Sequence, residues 1–160
     1  RKRPQDTPGD SRSGIIVPMD SSEARKTLGW TQGLSRSRLT FDGLELTSLA
    51  IGHQASLDRC SFIGTDLRQA VLDGTFFRLC NFRGANLRGS SLRYTRFGGC
   101  DLRDVDLRDA DLTGANLGAL NTGRADVGRT DLTGALLSGA FLRDITVLAV
   151  RGWRPERAEN

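Results

Sequence analysis

Large apolar residues return at every fifth position along most of this chain. From Leu57 the series runs Phe62, Leu67, Leu72, Phe77, Phe82, Leu87, Leu92, Phe97, Leu102, Leu107, Leu112, Leu117, Thr122, Val127, Leu132, Leu137, Leu142 and Val147. Of these 19 positions, 18 hold Leu, Phe or Val. Two residues ahead of each stands a second series of mostly small side chains, from Ala55, Cys60 and Thr65 through to Ala140 and Ile145. A helix face repeats about every 3.6 residues and a strand face at every second one, so neither accounts for a strict five. A shorter register precedes the long one: Phe41, Leu46 and Ile51, with Leu39, Leu44 and Leu49 two residues ahead. Ile51 to Leu57 is a step of six, which places one extra residue near Gly52-His53, most simply as a bulge.

Segments such as Ala85-Asn86-Leu87-Arg88-Gly89 and Ala110-Asp111-Leu112-Thr113-Gly114 resemble the A(D/N)LXX unit of pentapeptide-repeat proteins. The resemblance covers residues 39–149. It implies an all-β fold, a right-handed quadrilateral parallel β-helix in which four pentapeptides make one square coil of about 20 residues, with both series pointing inward. Like residues recur at that interval: Cys60, Cys80 and Cys100 would stack on one inner face, with Phe62 over Phe82 beside them and Phe77 over Phe97 on the next. At a coil spacing of about 4.8 Å, some five and a half coils give a rod roughly 26 Å long. Glycines closing many units (Gly64, Gly74, Gly84, Gly89, Gly99, Gly114, Gly134, Gly139) suit corners that require positive φ.

A rod of this kind needs covered ends. The expected division is a basic tail and N-terminal cap over 1–37, the coil over 38–149, and a C-terminal cap with a frayed tail over 150–160. Residues 1–14 have the composition of a disordered tail. Asp20-Ser21-Ser22-Glu23 opens a short capped helix, and Trp30 is placed to cover the first coil. Val147 to Val150 and Trp153 would close the last coil, with Pro155 onward fraying. Because residue 1 is Arg, the segment is expected to come from a longer chain.

Net charge is +4, yet residues 38–149 hold 13 Arg against 13 Asp and Glu, so the excess belongs to the ends. The coil is therefore not expected to bind nucleic acid directly. Arg1-Lys2-Arg3 offers a tether to an acidic surface or nucleic acid, against the simpler reading of a solubilising tail. No apolar run is long enough to span a bilayer. Three cysteines, an odd number, point to a reducing compartment and a cytoplasmic location. The 21 Arg against 2 Lys fit a GC-rich, bacterial coding bias.

No cofactor, metal or catalytic group is expected. Stacked thiols do not converge as zinc ligands must, and Cys serves here as a small filler. His53 lacks the partners of a hydrolase triad. Tyr94 reads as a surface residue at a corner. The run Asp101, Asp104, Asp106, Asp109 and Asp111 is dealt to different faces and reads as solvated surface. The candidate partner-binding residues are arginines in regular columns: Arg68, Arg88 and Arg108 on one face, Arg83 and Arg103 on the adjacent one, and Arg93 on the next. These readings predict a non-enzymatic scaffold for protein–protein contact. The resemblance implies an alternative, a DNA mimic that binds DNA gyrase and confers quinolone-type resistance. The rod shape suits that role, the neutral repeat does not, and the modest length suits it only if the chain forms an end-to-end homodimer.

Overall fold

The computed structural model of the chain describes residues 18–29, 31–124 and 128–154. Trp30, the Arg1-Lys2-Arg3 tether, Ala125, Val127 and the tail from Pro155 lie outside the described residues. Four three-residue strands, β1 (Ser35–Ser37), β2 (Ser56–Asp58), β3 (Phe76–Arg78) and β4 (Arg96–Gly98), stack in parallel in that order. Asn116 and Thr146 continue this first face. Three further columns of single parallel rungs complete a square: a second face from Thr40 and Ser61 to Asp131 and Arg151, a third from Glu45 to Leu136, and a fourth from Ala50 to Phe141. The fold is the right-handed, four-sided β-helix expected.

Both five-residue series fill its interior. Leu57 through Leu117 are at most 2% exposed, and so are the small residues from Ala55 to Ala115. Phe41, Phe62 and Phe82 stack with centroids 4.9 and 4.7 Å apart, and Phe77 meets Phe97 at 5.3 Å. The two columns meet edge to face, Phe77 against Phe82 at 4.9 Å, so the rings interlock across a corner. Inner cysteines and threonines do more than fill. Cys80 donates to the Leu57 carbonyl at 3.2 Å, Cys100 to Phe77 at 3.3 Å and Thr95 to Leu72 at 3.1 Å, each reaching the coil below. Thr130, which takes the place of Cys100 one coil further on, meets the Phe97 carbonyl in the same way.

The first coil is one residue longer than the next, since Ala50 pairs with Val71 but Ser56 with Phe76. The extra residue lies at the predicted bulge. There a Cβ on Gly52 would stand 2.5 Å from the Thr31 carbonyl oxygen, so glycine is required.

The coil departs from the expected course between Leu117 and Thr130. Arg96 pairs with Asn116, but Asp101 pairs with Asp131, so two pentapeptides leave the square between these rungs. Leu120 occupies a small-residue position in the period but lies outside, where its Cδ1 is 3.1 Å from the place a Cβ on Gly98 would take, beside Phe76. Gly128 comes back against Leu79 and Gly99, and its carbonyl accepts from the Leu120 N–H at 2.6 Å. The excursion thus covers the apolar Phe76 and Leu79 on the outside of the first face. Five full coils and part of a sixth remain.

At the N-terminal end α1 (Ser21–Leu28) is capped by the Asp20 carboxylate, which accepts from the Glu23 N–H at 2.8 Å. Ala24 and Leu28 are fully buried against the first coil. The helix also serves that coil's open edge: Ser21 Oγ accepts from the Glu45 N–H, and Arg25 donates to the Thr47 carbonyl at 2.9 Å.

Candidate functional site

The outward positions are built by local chemistry. Where a unit carries Asp or Asn before its central residue, that side chain accepts the N–H of the residue after the centre: Asp66 from Arg68, Asn81 from Arg83, Asn86 from Arg88, Asp101 from Arg103 and Asp106 from Arg108, all at 3.0 to 3.1 Å. Ser61 and Ser91 are too short for this. There the coil below supplies the acceptor: Asp42 Oδ1 takes the Ser61 hydroxyl and the Ile63 N–H, and Asp73 Oδ1 takes the Ser91 hydroxyl and the Arg93 N–H. Corners follow in left-handed backbone. All eight predicted corner glycines have positive φ, and so do Gln69, Leu79, Tyr94, Asp104 and Asp109 at the remaining corners.

The six candidate arginines stand in the expected columns, and each has a carboxylate partner. Arg68, Arg103 and Arg108 fold back on the aspartate of their own unit, with closest contacts of 2.7, 2.6 and 2.7 Å. These guanidiniums hold Asp66, Asp101 and Asp106 below the ordinary carboxylate range, and the carboxylates in turn raise the arginines. Arg83, Arg88 and Arg93 have no aspartate in their own unit and lean to the coil above: Arg88 to Asp109 at 3.0 Å, Arg83 to Asp104 and Arg93 to Asp111 at 3.8 Å. The third coil carries arginine after the centre on all four faces, the fourth being Arg78, which pairs with Asp58 at 2.8 Å. The run from Asp101 to Asp111 is therefore the counter-charge of the arginine columns. The cross-coil pairs escaped sequence reading, although the offsets of 21 (Arg83 to Asp104, Arg88 to Asp109) carry the signal once a coil length is known.

Cys60, Cys80 and Cys100 form the expected inner column as buried, free thiols. Cys60 is pushed up by its hydrogen bond with Cys80 and then by burial, and Cys80 is raised first by Cys100, so neither is a thiolate nucleophile. Among the described residues no three His, Cys, Asp or Glu side chains are placed to hold a metal ion, and no helix is long and apolar enough to cross a membrane.

One concavity joins residues that the sequence left apart. At the corner between the fourth and first faces, His53, Gln54, Asp73, Gly74, Arg93 and Tyr94 line a notch of about 430 Å³.

The pentapeptide-repeat family model matches residues 53–84 and 80–118, in eight copies. No curated protein matches the chain by sequence. Among solved structures it is similar to a pentapeptide repeat protein from the Arabidopsis thaliana thylakoid lumen, with 25% identity over 72% of this chain and 69% of that one and a TM-score of 0.37. It is also similar to QnrB1, a plasmid-mediated fluoroquinolone resistance protein, with 17% identity over 80% and 70% and a TM-score of 0.47. A third is Rfr23, a pentapeptide repeat protein of the cyanobacterium Cyanothece 51142, with 15% identity over 78% and 89% and a TM-score of 0.42. With the inner period filling four stacked faces and the family's own model matching the middle coils, residues 53–118 are a run of the pentapeptide repeats that define this family.

Proposed function

We propose that this protein is a non-enzymatic scaffold that acts by protein–protein contact through the outside of its coil. One observation carries the reading: the outer positions, free of any duty in the core, display large apolar side chains, and apart from Tyr94 the three most exposed lie toward the C-terminal end. Leu136 is 42% exposed, Phe141 63% and Leu148 78%. They sit on the last described coils, where Leu136, Phe141 and Thr146 have no further rung above them among the described residues. Exposed apolar side chains beside an open strand edge favour association. A second copy, joined end to end, is one partner of that kind. The arginine flank offers less, because its charges are satisfied within the rod and exposed pairs contribute little. The three free, buried thiols support a cytoplasmic setting.

The gyrase reading draws support from the likeness to QnrB1 in kind of fold, and its physical basis is weak here. A DNA mimic needs an acidic side, whereas each of the five aspartates from Asp101 to Asp111 is paired with arginine. The scaffold reading is tested by sedimentation of the purified chain over a range of concentrations. Wild type is expected to associate, and the double variant Phe141→Asp with Leu148→Asp to remain monomeric. A wild type that stays monomeric throughout argues against self-association through the C-terminal end.

A further inference from the structure

The corner notch holds the chain's only histidine and only tyrosine. Tyr94 stands in left-handed backbone (φ 57°), a conformation that strains any side chain with a Cβ. The same corner is glycine one coil below, at Gly74, and one coil above, at Gly114. Among the described residues Tyr94 is the only aromatic in that conformation, and it is 62% exposed. Both glycines make room. A Cβ on Gly114 would stand 2.5 Å from the Tyr94 ring, so Gly114 seats it. Gly74 forms the floor, with His53 Nδ1 reaching to 3.7 Å from the corresponding point. An imidazole from the first coil thus lies over a glycine of the second, and a phenol from the third, its ring turned over Gly114, borders the notch on the other side.

The polar groups are unequal. Asp73 Oδ1 is engaged by the Ser91 hydroxyl at 2.6 Å and the Arg93 N–H at 3.0 Å. The Arg93 guanidinium is half exposed and lies 3.8 Å from Asp111, beyond hydrogen-bond length. Arg68, Arg88, Arg103 and Arg108 are all held at 3.0 Å or less. Of the six candidate arginines, Arg93 is the one that combines a loose partner with a place in the concavity. The recess is open to solvent, and its two flat rings and one directed donor group are side chains of the kind that orient a small ligand.

We propose that this notch binds an aromatic group carrying an acid, with the ring held between His53 and Tyr94 and the acid on Arg93. Two sources share that chemistry, a phosphorylated tyrosine and an aromatic residue at a chain's carboxyl end. This goes beyond the scaffold reading and stands or falls without it, because the probes are small molecules.

The experiment follows the ring proton resonances of His53 and Tyr94 in the full chain as phenyl phosphate is added. Both are expected to move saturably, with inorganic phosphate and p-cresol each binding at least about tenfold more weakly. Arg93→Gln is expected to weaken phenyl phosphate about five- to tenfold. Tyr94→Gly installs the residue that this corner takes above and below, so it keeps or raises the melting temperature while the saturable His53 shift is lost. Phosphotyrosine amide and N-acetylphenylalanine then separate the two sources, the tighter one naming the natural ligand. The proposal is overturned if no saturable shift appears up to concentrations on the order of tens of millimolar. It is equally overturned if phosphate or p-cresol alone binds as well as phenyl phosphate, or if Tyr94→Gly binds like wild type.

Discussion

At the scale of single residues, an inner Thr or Cys can serve two duties, to fit beside a Leu or Phe and to meet a carbonyl of the coil below. Thr65, Thr95, Cys80 and Cys100 do both. Thr75 does only the first: its hydroxyl is fully buried and has no partner among the described residues. The pattern of Thr95 and Cys100, each reaching back 23 positions, would give it the carbonyl of Gly52, which is the bulge. An inserted residue in one coil thus strands a polar atom in the next. A buried hydroxyl left unpaired costs about 1–3 kcal/mol, and valine matches threonine in shape without the oxygen. Thr75→Val should therefore stabilise the protein by about 1 kcal/mol, read as a higher urea midpoint at unchanged slope. Thr95→Val, which removes a made bond, should lower the midpoint. If Thr75→Val is the more damaging of the two, the hydroxyl has a partner in solution.

At the scale of elements, the rung is the unit, and the excursion after Leu117 shows what the period conveys and what it leaves out. The inner series, the bulge at Gly52, both phenylalanine columns and the corner glycines were all legible, because each depends on side-chain size or backbone freedom at a fixed step. The excursion was not. The beat in the sequence runs on through this stretch, and what takes the chain out of the square is a tertiary fit: Leu120 finds a seat at Gly98 and Phe76 on the outside of the first face. In hindsight Leu120 at a small position and Thr122 at a large one are the local signs. The pairing of arginines with aspartates was hidden for a related reason, since partners 21 or 18 residues apart become neighbours only after coiling. Removing residues 120–129 would join Ala119 to Thr130 and restore an unbroken period. The shortened chain should keep its β-helix circular dichroism but expose Phe76 and Leu79, and so bind a hydrophobic dye more strongly than wild type. Adding Phe76→Ser and Leu79→Gly should reverse the dye binding. A shortened chain that fails to fold would show that the excursion is needed for assembly of the coil and is not only a cover.

For the whole molecule, stability is a sum of coil–coil contacts along one axis, so position along the rod sets what a residue contributes. Phe82 has Phe62 stacked on one side and Phe77 and Phe97 edge-on, and is fully buried. Leu142 holds the equivalent inner position on the last full coil but packs only at the margin of the core. Phe82→Ala should cost about 3–5 kcal/mol, the range for a buried aromatic that leaves a cavity, and Leu142→Ala about 1 kcal/mol, since a side chain only partly buried at the core's margin loses less on truncation. Urea unfolding measures both, and concentration adds a second reading. If two copies join end to end, Leu142 is buried in the dimer, and its substitution becomes more costly as protein concentration rises, by mass action on a state that only the folded chain can form. Phe82, deep in the rod, contributes the same at every concentration. A Leu142→Ala cost that does not change with concentration would place any partner of the C-terminal end outside this chain's own copies.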